Sequence, residues 1–376
     1  VVRGEELRAR GVAHVLDAIR ALPGISVVQS GSHGATTSLF VRGGESDYVK
    51  VLVDGVPINE PGGRADLANL STANIERIEV VRGPASVLYG SDAVSGVIQI
   101  FTKEGRGRTR ANATVRGGSR GTLEYGADVS GAAGPASFAF SASRFRTDGI
   151  YAFNNEYRND AVSGRIRFEP DDRTDATLTV RYGSGEFHYP TDSGGEVVDR
   201  NAHQLEDRLA LGFEAARRLT DRLELRLLLT LSDVVAGTRD AQDDETDTAG
   251  TYAYFSDSDT RRRAVDLRAN YGLGTSVVLT AGVELEDQQT ESSSEYESEW
   301  GPGSDSFGAE RTNRGVYAQA LVQPIPALAL TLGARVDDND AFGTFGTYRA
   351  GVAYRPAPGT KLRAGIGTAA GGGGAG

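Results

Sequence analysis

The segment LELRLLLTLS (223–232) places leucine at 223, 225, 227, 229 and 231, with Glu224, Arg226, Thr230 and Ser232 between them. Side chains on a strand alternate between its two faces, so this segment reads as a strand with one aliphatic and one polar face. The pattern recurs downstream. Val162, Ile166 and Phe168 oppose Ser163, Arg165, Arg167 and Glu169, and Ala176, Leu178, Val180 and Tyr182 oppose Asp175, Thr177, Thr179 and Arg181. Val265, Leu267, Ala269 and Tyr271 oppose Asp266, Arg268 and Asn270. Val277, Leu279, Ala281, Val283 and Leu285 oppose Thr280, Glu284 and Glu286, and 328–336 and 348–354 repeat the scheme.

A water-soluble β-sandwich with one solvated face also alternates. Two features favour a transmembrane barrel. The apolar rows stay free of charge over four or five alternate positions, as lipid demands when a mid-membrane Arg or Lys costs roughly 2–4 kcal/mol. Strands of about 9–11 residues, joined alternately by tight turns (170–173, 217–221) and longer connections, match a barrel with a short-turn rim and a long-loop rim. Phe168, Tyr182, Phe213, Tyr271 and Tyr354, near the row ends, suit an interfacial aromatic girdle. About thirteen such strands fit before Gly376, where a single-chain bacterial barrel normally has an even number. The expectation is therefore a barrel missing its C-terminal strands, with GTAAGGGGAG (367–376) as low complexity.

Composition agrees. The chain has 376 residues, 49 glycines, no cysteine or methionine and a net charge of −11, with a mean hydropathy of −0.32. No run approaches the roughly 18 apolar residues of a membrane helix, and a barrel hides its lipid face from such an average. The negative charge argues against a nucleic-acid partner, which needs a basic face. Zero cysteines remove disulfides, thiol catalysis and Cys-ligated zinc. The Val-Val-Arg start implies a mature or truncated N-terminus.

Residues 1–107 read differently from 108–376. Val12, Val15, Leu16, Ile19 and Leu22 fall on one helical stripe stopped by Pro23-Gly24. Short strands are expected at 25–28, 38–42 and 48–53, with Asp54-Gly55 as a turn. IERIEVVRGPASVLYGSDAVSGVIQIFTK (75–103) begins as an alternating strand, breaks at Arg82-Gly83-Pro84, and closes on an apolar run, 94–101.

The order of helix, Leu22-Pro23-Gly24, LFVRG (39–43), VLVDGVPIN (51–59) and IERIEVVRGPASVLYGSDAVSGVIQI (75–100) resembles the plug domain of TonB-dependent outer-membrane receptors. The fold class is thus expected to be mainly β: an α/β plug inside an antiparallel transmembrane barrel, 22-stranded in the family. FVRG, VLVDGVPIN and FHYPTDSGGEVVDRNA (187–202) look most like the cobalamin-receptor branch. The resemblance implies import of a large scarce nutrient, cobalamin first and a ferric siderophore second. It implies monomeric function in outer-membrane lipid and energisation by the TonB–ExbB–ExbD complex, whose contact segment precedes the plug and is not seen upstream of Val1. It also implies that Arg42 and Arg82 pair with inward barrel glutamates, either Glu224, Glu284 or Glu286 here or others in the C-terminal strands expected beyond Gly376. The plug loops facing outward in that branch match 29–37 and 59–64, giving Ser30, Ser32, His33, Thr36, Thr37, Asn59, Glu60 and Arg64 as substrate-contact candidates. A lone His33 is expected to hydrogen-bond rather than ligate metal.

No cofactor is required on this reading. Some cobalamin receptors order their loops with calcium, and the corresponding loop by strand order, 154–160, offers Asn154, Asn155, Glu156, Asn159 and Asp160; a solvated loop is the competing reading. Acidic stretches 239–247 and 286–310 are expected as long loops. There is no P-loop, and the Gly-Ser pairs lack a nucleophile-elbow setting, so no enzyme is expected. A non-transporting binding protein or degenerate fragment is the alternative of another class.

Overall fold

The computed structural model describes residues 1–192 and 194–369. Ser193 and most of the glycine-rich terminus, 370–376, lie outside the described residues.

The N-terminal unit contains β1 (Val2–Arg3), α1 (Gly4–Ala9), α2 (Val15–Arg20), β2 (Ile25–Gln29), β3 (Thr37–Val41), β4 (Val49–Val53), β5 (Val56–Pro57), β6 (Ile75–Arg82), α3 (Ser86–Tyr89) and β7 (Gly96–Thr102). Its sheet runs β1-β6-β7-β4-β5 with β4 parallel to β7, and β2–β3 form a separate hairpin. Val15, Ile19, Leu39, Val51, Ile75 and Ile98 build one core. The expected helical stripe shortens at both ends. Gly11 turns the chain at φ +68°, His14 bridges to Ser71 in extended form, and Leu22 closes a turn onto Ile19 O.

The second unit is a thirteen-stranded antiparallel meander. Its strands are β8 (Arg110–Gly117), β9 (Leu123–Ala133), β10 (Ala136–Thr147), β11 (Tyr157–Asp171), β12 (Thr174–His188), β13 (His203–Arg218), β14 (Leu223–Asp240), β15 (Thr251–Leu273), β16 (Val277–Ser298), β17 (Gly301–Ile325), β18 (Leu328–Asn339), β19 (Gly343–Ala357) and β20 (Thr360–Gly367). The described sheet is open, with β8 and β20 as its edges.

Alternation assigns the two faces as the sequence predicts. Ile166, Leu178, Phe213, Leu229, Val265 and Leu285 stand side by side on six consecutive strands, all exposed. They form an unbroken apolar belt. The alternate residues Thr177, Thr179, Arg181, Asp266, Glu286 and Arg335 are buried against the N-terminal unit. Tight turns at 134–135, 172–173 and 274–276 share one rim, and the connections 148–156, 189–202 and 241–250 occupy the other.

Two expectations about the wall fail, the first being strand length: β11 to β17 run 15–25 residues rather than about 9–11. Residues 286–310 are not a loop: β16 and β17 run 22 and 25 residues and turn at Glu299-Trp300. At about 3.4 Å per residue these strands far exceed a lipid belt about 25 Å tall. Above the belt both faces are wet, so Ser, Thr and Glu fill the strands and no apolar row marks them.

Candidate functional site

At the long-loop rim the plug and the wall enclose a cavity of about 250 Å³. Thr36, Glu60, Arg64, Asp66 and Asn69 line it from the plug, and Phe187, Glu206, Thr238, Ser256, Ser258 and Thr260 from the wall. Arg64 pairs with Glu60 at 3.2 Å, and Arg208 of β13 stands 3.8 Å from the other Glu60 oxygen. Asp66 accepts from Thr37 N and Oγ1 and from Ala68 N at 2.8–3.1 Å. Burial, then Glu206, pushes the Asp66 carboxyl above the usual carboxylate range. The vestibule thus offers hydroxyls and carboxylates, with Arg64 as an exposed cation.

The substrate-contact candidates separate into two groups. Thr36, Glu60 and Arg64 line the vestibule. Ser30 is exposed and donates to Thr36 O, Ser32 Oγ accepts from Asn155 Nδ2 at 3.2 Å, and exposed His33 stacks on Tyr157 with centroids 6.0 Å apart. Beside it, His14 is buried and held neutral, its pKa lowered to about 3 by desolvation and then by His33. Thr37 and Asn59 are scaffold instead. Thr37 is fully buried between Asp66 and Leu67 N, while Asn59 accepts from Val51 N and donates to Val49 O and Gly63 O. Every polar atom of the Asn59 side chain is spent inside the plug.

Lys103 of the plug pairs with Asp128 of the wall at 3.3 Å, but the two plug arginines expected to do so meet no carboxylate of the described wall. Arg82 donates to Pro23 O, Arg42 is exposed, and among the described residues no carboxylate lies within ion-pair distance of either. Glu224 pairs with Arg226 within the wall, and Glu284 with Arg335 at 3.0 Å. Instead, wall arginines hold plug oxygens. Arg165 takes Asp54 at 3.2 Å and Glu104 at 3.1 Å. Arg181 donates to Ser71 O at 2.7 Å, Arg208 donates to Ile58 O at 2.7 Å, and Arg262 faces Asp92 at 3.6 Å. These arginines occupy inward alternate positions. The sequence pattern places Arg165 and Arg181 on polar strand faces, but it does not single out Arg208 or Arg262, and it names no partner for any of the four.

The calcium candidates do not converge. Asn155 Oδ1 accepts from Ile150 N and Tyr151 N, Asn159 donates to Asn69 O, Asp160 pairs with Arg144, and Glu156 is exposed. Asn154 Nδ2 donates to Tyr189 O and Ala202 O. Among the described residues no three His, Asp or Glu side chains are placed to hold a metal ion. Nearby, loops 189–202 and 241–250 clasp each other: Asp243 accepts from Arg200 N and Asn201 Nδ2, and Asn201 Nδ2 donates to Ala241 O. Within this clasp Asp240 is raised to about 7 by burial and then by Asp199.

An apolar belt, an enclosed α/β unit and a polar vestibule at the long-loop rim define a plugged outer-membrane barrel. The TonB-dependent Receptor Plug Domain model matches residues 1–97, and the TonB dependent receptor-like beta-barrel model matches 105–372. The chain belongs to the TonB-dependent receptor family, whose members are outer-membrane proteins and not enzymes. The vitamin B12 transporters BtuB of Photobacterium profundum and Vibrio vulnificus are each 27% identical over 98% of the chain. The chain spans 58% of the length of each relative. Among solved structures, the ferric citrate transporter FecA superposes with a TM-score of 0.78 at 17% identity, over 97% of this chain and 61% of that one. The copper transporter OprC gives 0.76 at 18%, over 94% and 60%. At such identities these likenesses establish the fold alone.

Proposed function

We propose that the chain forms the plug and a large part of the wall of a TonB-dependent importer of a large scarce nutrient, with cobalamin as the substrate. The carrying observation is the vestibule. Its wall presents Thr238, Ser256, Ser258 and Thr260, and its floor adds Glu60 and Asp66 against one exposed cation, Arg64. Neutral hydroxyls suit a ligand rich in amides, whereas a polyanionic ferric chelate requires several convergent cations. The two vitamin B12 transporters that match 98% of the chain support the same substrate. The vestibule volume of about 250 Å³ accommodates one face of so large a ligand, leaving the rest to the rim loops. On this reading the periplasmic TonB–ExbB–ExbD complex pulls on the plug using the proton-motive force.

The test is equilibrium binding of labelled cyanocobalamin to outer membranes carrying the full-length receptor, with and without added calcium. Saturable binding that weakens when Thr260 and Ser258 are replaced by valine supports the proposal. Uptake of ferric chelates without any cobalamin binding would overturn the substrate.

A further inference from the structure

A second cavity, of about 420 Å³, lies on the short-turn side of the vestibule between the plug and the same wall strands. Inward residues pass from one cavity to the other along β13, β14 and β15. On β13 the vestibule ends at Glu206 and the lower cavity begins at Gly212. On β14 the limits are Val234 and Thr230, and on β15 Thr260 and Ala264. The septum between them is thin. It consists of Arg208, Ala210, Ser232 and Arg262, all buried, with the β4–β5 turn of the plug seated beside them. Val56 approaches so closely that a Cβ on Gly212 would stand 3.0 Å from it.

The two septum arginines are tied to the plug in different ways. Arg208 donates to Ile58 O at 2.7 Å and is braced by Glu206 at 3.3 Å. Arg262 lies between plug Asp92 at 3.6 Å and wall Glu286 at 4.0 Å, is 2% exposed, and none of its three guanidinium nitrogens makes a hydrogen bond among the described residues. A buried guanidinium without hydrogen bonds carries its desolvation cost largely uncompensated. Across from it, Asp92 is fully buried with its backbone in the left-handed region at φ +71°, which aspartate adopts more readily than most residues. The Arg262–Asp92 contact is therefore a long ion pair without a hydrogen bond on the guanidinium, weaker than the 2.7 Å bond of Arg208 to Ile58 O, and it is the tie across the septum that parts more readily.

We propose that the substrate crosses along the β13–β15 sector of the wall, and that the Arg262–Asp92 contact is the gate between the two cavities. This rests on the importer reading above. As the plug turn bearing Asp92 withdraws, Arg262 closes onto Glu286 within the wall, the septum thins, and the vestibule joins the lower cavity. Arg208 keeps the Ile58 segment in place as a fixed post. Arg262 and Asp92 act on the path and touch no ligand in the vestibule, so they are gating rather than binding residues.

The experiment is potassium chloride conductance of the full-length receptor in planar bilayers under mild urea, which needs no substrate. Arg262→Gln and Asp92→Asn are each expected to raise the frequency of open events roughly tenfold or more, as loss of one partner of a buried ion pair implies. Cyanocobalamin affinity should be retained in both. Arg116→Gln, which removes a plug contact from distant β8 to Arg8 O, is expected to leave conductance unchanged. Heat-modifiable migration on gels checks that each variant is folded, and Asp92→Asn carries the test from the plug side if Arg262→Gln does not assemble. Parental open frequency in both gate variants, or an equal rise with Arg116→Gln, overturns the gate. Absence of cyanocobalamin binding in the parent sinks the substrate reading and leaves the conductance result standing.

Discussion

Replacing Asn59 by alanine should free the plug loop that carries Glu60 and Arg64 without disturbing the barrel. Asn59 is buried and makes three hydrogen bonds, from Val51 N at 2.7 Å and to Val49 O at 2.8 Å and Gly63 O at 2.6 Å. Each bond contributes a net ~1 kcal/mol, and a buried amide left without an acceptor costs about 1–3 kcal/mol more. The local penalty is then about 4–6 kcal/mol, enough for segment 59–64 to open roughly a thousandfold or more often. The wall is unaffected because none of these bonds reaches it. Hydrogen exchange followed by mass spectrometry measures the change directly: peptides covering 49–64 should lose protection while those covering 223–240 keep it. Cyanocobalamin affinity should fall with the loop. Parental protection across 49–64 in Asn59→Ala would refute the assignment of this side chain as the loop's anchor.

Other perturbations test other parts of the molecule. A Cβ on Gly34 would stand 2.5 Å from Tyr157 Cδ2 and 2.7 Å from Phe187 Cβ, at φ +86°; Gly34→Ala should cost about 1–3 kcal/mol and lower the thermal midpoint of the receptor. Leu229→Arg, in the middle of the belt, should cost about 2–4 kcal/mol in lipid vesicles by urea titration, whereas Ser293→Arg above the belt should stay within ~0.5 kcal/mol. Asp240 binds its proton more tightly in the folded rim than in an open loop, with a pKa of about 7 against 3.8. Its contribution to the loop clasp is therefore complete below about pH 4 and lost as pH rises through about 7. Proteolysis within 241–250 should accelerate between pH 5 and 8, and Asp240→Asn should flatten that dependence.

Period-two alternation made the wall legible, because lipid tolerates only one kind of face and each strand had to declare it. The belt through Leu229 and Val265 could be read from the sequence for that reason. The β16–β17 extension could not, since with water on both sides of residues 291–298 nothing constrains the pattern. In the plug, apolar residues marked the strands, but residues 12–14 were drawn off the helix by a tertiary bridge to Ser71 that lies far away in sequence. Vestibule residues were found where motif order placed a loop, as with Glu60 and Arg64. Asn59 and Thr37 looked the same in sequence because a polar side chain that anchors a loop and one that greets a ligand have the same chemistry. Ion-pair partners were illegible for a different reason: Arg82 and Arg262 are equally cationic, and only the three-dimensional fit decides which one meets a carboxylate.

The inward arginines at 165, 181, 208 and 262 also bear on transplantation. Their partners are either plug carboxylates at particular positions or backbone carbonyls whose direction is fixed by the plug's path. A plug from another receptor would have to bring its Asp54 and Asp92 equivalents to the same places, or leave guanidinium groups stranded beneath it. Chimeras that exchange plugs should therefore succeed when these four wall positions travel with the plug, and fail when they are left behind.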